Sequence, residues 1–130
     1  MRIVSQNCRG LGNRPAVRGL LALQKKEVPD ILFLSETKLK GKKMEKFRNM
    51  LGLQHMIAQD CEGKSGGLAL FWKRGIEVEL RWKGKRHIDV NVTEEDGFKW
   101  RLTGIYGEPN QDRREETWNL LRTLDRKSVV

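Results

Sequence analysis

The sequence has 130 residues, of which 38% are hydrophobic and 33% charged, and its formal net charge at pH 7 is +9. This length fits one domain, and four Trp and four Phe argue against a disordered chain. We expect neither a membrane protein nor a secreted precursor, since no apolar run approaches the ~20 residues of a membrane span and no apolar signal segment follows Met1.

The first third of the chain predicts a strand–helix–strand unit. A strand over residues 2–6 leads through a turn-rich loop to a helix that is capped by Asn13 and ends near Lys26. The apolar residues 31–34 then predict a strand that is buried on both faces. The two strands should lie parallel, joined by a right-handed crossover.

The remaining pattern changes from helical to β. A short helix is expected over 42–51, and an acid spacing typical of a capping box predicts a second helix over 112–124. Between them, apolar or alternating segments separated by turn residues predict an antiparallel meander over 68–72, 76–82, 88–92 and 98–106. The predicted fold class is α/β, with sheet covered by helices.

Polar residues follow the two predicted parallel strands where each strand ends. Asn7 ends the first strand and Glu36 comes just after the second, and such strand ends share one edge of the sheet. A carboxylate beside an amide suits Mg²⁺ rather than zinc. The pattern alone favours the simpler alternative, in which Asn7 caps a turn and Glu36 is a solvated loop residue.

Other candidate sites are weaker. The glycine-containing segments 10–12 and 58–65 depart from phosphate-binding loops, because the first lacks the third glycine and the second leads into a strand. His55 and His87 have no partner at metal or triad spacing, and the thiol of Cys8 has no convincing histidine beside it. With no secretory signal, Cys8 and Cys61 should be reduced.

A basic run begins just after Glu36 and is opposed only by Glu45. Its members are Lys38, Lys40, Lys42, Lys43, Lys46 and Arg48. Nucleic acid is the natural partner of such an excess, and a solvated helix face is the alternative that charge by itself leaves open.

Four ordered segments together resemble one family. They read SQNCRGLGN (5–13), PDILFLSETK (29–38), GGLALFWK (66–73) and TGIYGEPN (103–110), and RREETWNLL (113–121) continues the likeness. The chain resembles the endonuclease domain of plant non-LTR (LINE-type) retrotransposons. That domain belongs to the endonuclease/exonuclease/phosphatase superfamily, with the apurinic/apyrimidinic endonucleases and DNase I.

The resemblance implies a four-layered α/β sandwich that hydrolyses phosphodiester bonds with Mg²⁺ (Mn²⁺ as a substitute), DNA as the partner, and the nucleus as the location. Asn7 and Glu36 would hold the metal, and Tyr106 would approach the scissile phosphate. The residues implied to contact the phosphate or the DNA backbone are Asn110, Arg113 and Arg114. Because the basic run begins just after Glu36, we also expect Lys38, Lys42 and Lys43 to contact the phosphates of the flanking duplex.

The resemblance also implies, beyond the helix expected to end near Asp125, a strand ending in an Asp-x-Asn motif and a late Asp-His pair, and the sequence ends before the positions of these motifs. We therefore expect one partial domain over 1–130, an incomplete DNase I-like sandwich truncated at its carboxyl end and nearly inactive. An apolar sheet face around Trp72, Trp82 and Trp100 should then be exposed. The alternatives are a non-catalytic nucleic-acid-binding module, a phosphatase of the same superfamily, and a decayed gene product that does not fold stably.

Overall fold

The computed structural model describes residues 1–106 and the backbone of a strand over 118–124. The chain divides into two compact units, Met1–Arg74 and Gly75–Val130. Among the described residues, no helix is both long and apolar enough to cross a membrane. Cys8 and Cys61 are free thiols, as expected.

The first unit holds a four-stranded mixed sheet in the order β1-β2-β4-β3. Its elements are β1 (Ile3–Asn7), α1 (Arg14–Glu27), β2 (Ile31–Ser35), a 3-10 turn (Gly41–Met44), α2 (Glu45–Leu51), β3 (His55–Glu62) and β4 (Ser65–Trp72). β1 and β2 pair in parallel, whereas β2 pairs with β4 and β4 with β3 in antiparallel fashion. The predicted strand–helix–strand unit is confirmed.

Local sequence signals set the bounds of α1. The Asn13 side chain accepts a hydrogen bond from the Ala16 N–H at 2.8 Å, and a proline lies in the first turn. Val28 ends the helix with a left-handed φ of 43°, and its N–H donates to the Gln24 carbonyl at 2.9 Å. The helix therefore begins and ends close to its predicted bounds.

The core of the first unit lies where α1 and α2 cover one face of the sheet. Its buried members are Leu11, Leu20, Leu32, Leu34, Met44, Phe47, Leu51, Leu53, Ala69 and Phe71. The central strand β2 is buried along its whole length, as a strand covered on both faces should be. This packing makes β2 a rigid support for the loop that follows it.

The second unit is an antiparallel sheet in the order β5-β6-β7-β8. Its strands are β5 (Glu77–Lys83), β6 (His87–Thr93), β7 (Lys99–Tyr106) and β8 (Trp118–Leu124). The prediction of a helix is wrong over 118–124, because this segment is a strand that pairs with residues 100–106 of β7. Short apolar runs fit either period, and the open edge of β7 decides the outcome. Residues 112–117 of that predicted helix lie outside the described residues.

One further prediction about the sheets needs correction, and one strand was not predicted. The 68–72 segment is not part of the meander, because β4 pairs with β2 and β3 in the first unit. The polar segment over β3 gave no strand signal, yet it forms a hairpin with β4 in which Glu62 pairs with Ser65. This hairpin confirms that 58–65 is not a phosphate-binding loop, since a strand follows it.

The expected exposure of three tryptophans is wrong for two of them. Trp72 and Trp100 are buried, with 7% and 1% of their surface exposed, whereas Trp82 is 58% exposed. The register of β5 against β6 shifts between Leu80 and Trp82, so that Leu80 pairs with Val90 but Trp82 with Asp89. Such a bulge moves the side chains beyond it to the other face of the sheet, which the alternating pattern could not reveal.

Asp89 anchors the pairing of β6 with β7. Arg101 donates to its carboxylate from Nε at 3.0 Å and from an η nitrogen at 2.8 Å, and the Thr103 hydroxyl donates at 3.1 Å. Burial raises the pKa of Asp89, but these bonds and the charges of Arg101 and Arg81 outweigh it and leave the pKa below its ordinary value.

We expect Asp89→Asn to lower the free energy of unfolding by about 2 kcal/mol, because the change breaks a charged, bidentate contact. Since the folded pKa lies below the unfolded value of about 3.9, this stabilisation is present above that pH and is lost as the pH falls through the folded pKa. Urea unfolding at pH 7 and pH 3 tests both points. Asp96→Asn is the control, because an amide oxygen at position 96 can still accept the hydrogen bond from the Phe98 N–H. Equal losses of stability in the two variants would contradict the stabilising role given to the contacts of Asp89.

Candidate active site at the edge of the first sheet

The carboxyl ends of β1 and β2 lie side by side at one edge of the first sheet. Asn7 and Ser35 are direct partners in the parallel register, and Glu36 follows Ser35. The pairing continues past both strands, because the Cys8 N–H donates to the Ser35 carbonyl at 2.8 Å and the Gly10 N–H donates to the Glu36 carbonyl at 2.8 Å. The backbones that carry Asn7 and Glu36 are therefore tied to each other.

The loop after β2 is also fixed from its other side by β4. The Thr37 N–H donates to the Gly67 carbonyl at 3.2 Å, and the Lys38 N–H donates to the Gly66 carbonyl at 2.9 Å. Gly67 has a φ of +95°, and a Cβ there would lie 2.2 Å from Oγ1 of the fully buried Thr37. A side chain at position 67 would thus displace the segment that carries Glu36.

Left-handed backbone is concentrated at this edge. Of the four non-glycine residues with positive φ in the described part of the chain, three lie here: Arg9 (51°), Glu36 (50°) and Lys38 (57°). Each such conformation costs of order 1–3 kcal/mol and persists only where the surroundings enforce it. Clustered strain of this kind is typical of functional loops, and here the backbone bonds to β4 and between the two loops sustain it.

Two buried polar atoms at the edge have no hydrogen-bond partner. They are Nδ2 of Asn7 and Oγ of Ser35. Oδ1 of Asn7 already accepts from the Arg9 N–H at 3.0 Å, which leaves the amide nitrogen as the unsatisfied group. Asn7 and Ser35 are register partners, and register partners project to the same face of a sheet. Their two unsatisfied atoms therefore lie on the same face, at the same end of the sheet. An unsatisfied N–H donor suits an anionic oxygen.

Burial and the negative charge of Glu36 both act on the Cys8 thiol. Burial, together with the charge of Glu36, raises the pKa of the Cys8 thiol from 9.0 to about 12. The thiol therefore stays protonated at neutral pH and is not a nucleophile. Its packing against the core of the first unit supports the prediction that Cys8 is a small packed residue.

Glu36 fits a magnesium ion better than a metal held entirely by protein. The described residues contain no group of three or more His, Cys, Asp or Glu that could hold an ion. Mg²⁺ commonly keeps several waters and binds through one or two carboxylates and substrate phosphates, which one carboxylate beside an unsatisfied amide can accommodate. Zinc, which needs three or four nitrogen or sulfur ligands, does not fit this edge.

Three solved structures share the fold of this chain, and two of them are named as a phosphatase and an endonuclease. The chain is similar to a 3′ phosphatase, NExo, from Neisseria bound to a product DNA hairpin (TM-score 0.54, 22% identity, covering 76% of this chain and 39% of that one). It is also similar to an AP endonuclease from Archaeoglobus fulgidus (TM-score 0.51, 20% identity, covering 72% of this chain and 37% of that one). A third similar structure is truncated Caenorhabditis elegans TDP2 (TM-score 0.55, 22% identity, covering 86% of this chain and 47% of that one). No family model matches the sequence, and no curated protein matches it.

The chain has a DNase I-like fold. It spans less than half the length of each of these three structures. The expected fold class, with sheets and helices in an α/β arrangement, is confirmed. Identities near 20% extend this conclusion to the fold and not to the activity.

Within the DNase I-like fold, the predicted site residues fall into three groups. Asn7 and Glu36 share one edge, and Lys38 follows Glu36 in the same loop. Tyr106 is buried at the carboxyl end of β7 in the second unit, so its place at the site stays a prediction. The remaining candidates, Asn110, Arg113 and Arg114, lie outside the described residues.

Neither histidine belongs to the edge. His55 pairs with Trp72 and stacks on it with ring centroids 5.5 Å apart, and Trp72 in turn pairs with Ile31 at the opposite end of β2. His87 lies in the second unit, 5.9 Å from the Trp82 ring. The position of His55 agrees with the prediction that it is not a catalytic base, and for His87 this stays a prediction.

A basic groove of about 500 Å³ adjoins the two loops of this edge. Leu11 and Leu39, just beyond the loops, line its floor, and four cations line it without any acid: Arg14, Arg18, Lys43 and Lys46. Lys42 and Lys43 are both exposed on the 3-10 turn. The lysines belong to the basic run that the sequence already indicates. Arg14 and Arg18 do not belong to that run; they lie one turn apart on the same side of α1, and folding brings this side to the groove.

Proposed function

We propose that this chain contributes to Mg²⁺-dependent hydrolysis of phosphodiester bonds in DNA, as a nicking endonuclease of a LINE-type retroelement. The observation that carries the proposal is the pair of unsatisfied, buried polar atoms on Asn7 and Ser35 beside Glu36. The DNase I-like fold supports it, because nucleases and phosphatases share that fold. The LINE-type assignment rests on the sequence resemblance.

Each residue at the edge has a distinct part in this proposal. Glu36 would hold Mg²⁺ together with waters and phosphate oxygens, and the ion would neutralise charge that develops on the phosphate. The Asn7 amide N–H donates to a phosphoryl oxygen, which orients the phosphate at the strand ends. The sequence resemblance assigns Tyr106 an approach to the scissile phosphate. The protonated Cys8 takes no part in proton transfer.

Weak activity is part of the proposal. Hydrolysis needs a group that activates water, and His55 lies at the opposite end of the first sheet. Losing a general base typically costs about 10²–10⁴-fold in rate. We therefore expect the 130-residue chain to nick supercoiled plasmid slowly in Mg²⁺.

The nicking assay compares the chain with Glu36→Ala, with and without EDTA. Slow nicking that EDTA and the substitution both remove is the expected result. Nicking that persists in Glu36→Ala would contradict the role of Glu36. Fast nicking that the substitution abolishes would contradict only the expectation of weak activity.

The basic groove also favours a second function, nucleic-acid binding without cleavage. We expect Lys42→Ser/Lys43→Ser to lower affinity for duplex DNA and to reduce the slope of log affinity against log salt by about 2, since each phosphate that a lysine neutralises adds about 0.9 to that slope. Fluorescence anisotropy with a labelled duplex in EDTA measures both. Lys25→Ser/Lys26→Ser, in the last turn of α1, is the charge-matched control. Equal losses in the two double variants would show that only net charge matters.

A further inference from the structure

The bulge in β5 gives Trp82 an exposure that its sequence pattern does not predict. Leu80 pairs with Val90 of the core face, but the register shift makes Trp82 the partner of Asp89. Asp89 shares its face with Thr103, to which it is both paired and hydrogen-bonded. Trp82 therefore lies on the polar face of the second sheet, with its indole more than half exposed. Bulges commonly redirect a side chain toward a binding role.

The indole is supported on one side and open on the other. The His87 ring lies 5.9 Å from it at a tilt of 40°. A Cβ built on Gly84 would lie 3.7 Å from Cζ2 and Nε1 of Trp82, so the backbone of the turn runs alongside the ring. These contacts hold the ring in place and leave a flat aromatic surface toward solvent.

The hairpin around this ring is strongly basic. Residues 81–87 contain four cations, Arg81, Lys83, Lys85 and Arg86, and no acid. Asp89, the register partner of Trp82, is held by two bonds from Arg101 and one from Thr103. Arg81 also approaches the Asp89 carboxylate at 3.5 Å, but Arg101, at 2.8 Å, already balances the charge of that carboxylate. By sequence, the segment 81–87 itself is thus positively charged, with four cations and no acid.

We propose that the Trp82 hairpin, residues 81–87, binds single-stranded nucleic acid. An unpaired base stacks on the exposed indole, while the surrounding cations contact the neighbouring phosphates. Duplex DNA keeps its bases paired and stacked inside, so a contact to its backbone makes no use of an exposed aromatic plane. The hairpin lies in the second unit and does not include Glu36, and it therefore stands whether or not the proposed hydrolysis does.

Binding of labelled (dT)15 to the full chain, followed by fluorescence anisotropy in EDTA, tests this site. We expect Trp82→Leu to weaken binding at least about fivefold, the lower end of what one stacked base contributes, and Trp82→Phe to retain most of the affinity. Leu80→Ala is the control, since Leu80 is a neighbouring exposed apolar residue that pairs toward the core face. It should bind like the unaltered chain.

A second readout reports on the Trp82 ring itself and not on affinity. Stacking should quench tryptophan fluorescence on titration with (dT)15, and the Trp82→Phe chain should lose that quenching. Unchanged affinity in Trp82→Leu, or quenching that persists in Trp82→Phe, would overturn the proposal. So would displacement of (dT)15 by polyphosphate at equal charge, which would indicate a charge-only surface, or an equal loss of duplex binding in Trp82→Leu.

Discussion

Replacing Glu36 with Gln is expected to weaken Mn²⁺ binding by at least about tenfold, because the amide removes the one carboxylate of the β1–β2 edge while keeping its size. The substitution also removes the negative charge beside Cys8 and leaves the backbone bond from Gly10 to the carbonyl of residue 36 in place. The loop should therefore keep its conformation. Mn²⁺ titration followed by electron paramagnetic resonance measures the free ion directly and needs no catalysis.

Glu27→Gln is the matched control for this titration. Glu27 ends α1 and pairs with Arg2, away from the edge that carries Asn7 and Glu36. It should bind Mn²⁺ like the unaltered chain, and thermal unfolding should show both variants folded. If Glu36→Gln bound Mn²⁺ as tightly as Glu27→Gln did, the ion site would have to lie elsewhere in the molecule.

A methyl group at position 67 is expected to destabilise the chain by about 3–4 kcal/mol. Gly67→Ala combines an unfavourable positive φ with a contact of 2.2 Å to Thr37 Oγ1 and one of 3.0 Å to the Lys38 nitrogen, which is backbone and cannot rotate away. For a domain of this size the loss lowers the midpoint of thermal unfolding by about 10 °C or more. Because Thr37 bonds to the Gly67 carbonyl, Mn²⁺ binding at the neighbouring Glu36 should weaken as well.

Gly66→Ala separates strain from collision. Gly66 has a φ of +79°, but a Cβ there meets nothing within 4 Å. This substitution should cost only about 1–2 kcal/mol, the ordinary penalty of the left-handed conformation, and should leave Mn²⁺ binding intact. Equal destabilisation by the two substitutions would show that the Thr37 loop yields easily and does not position Glu36.

The strongest sequence signals were local and periodic, and those are the ones that the structure confirms. Asn13 and the following proline begin α1, and the apolar run over β2 is buried along its length. Where long-range pairing decides, the sequence pattern failed. The segment 118–124 carries apolar spacing that fits a helix, but the edge of β7 pairs with it as a strand. The bulge beyond Leu80 likewise depends on pairing with β6, and the alternation of apolar and polar residues along 76–82 gives no sign of it.

The candidate site shows the same division between local and long-range signals. Asn7 and Glu36 follow or end two strands that the sequence predicts to be parallel, which places both residues at one edge of the sheet. The register of Asn7 with Ser35, the residue before Glu36, agrees with this prediction. The sequence could not show that Gly66 and Gly67 of β4 hold the loop of Glu36, because those bonds join residues about 30 positions apart. Arg14 and Arg18 were likewise missed, since only the packing of α1 beside α2 brings them into the groove with Lys43.

A crystal of the chain soaked in Mn²⁺, with diffraction recorded for anomalous scattering, tests the central claim most directly. One anomalous peak should lie within coordination distance of the Glu36 carboxylate, at the edge where the Asn7 amide is unsatisfied. The peak should be absent from Glu36→Gln crystals soaked in the same way. A peak at another carboxylate with none at Glu36, or a peak at the edge that survives the substitution, would contradict a metal site built on Glu36.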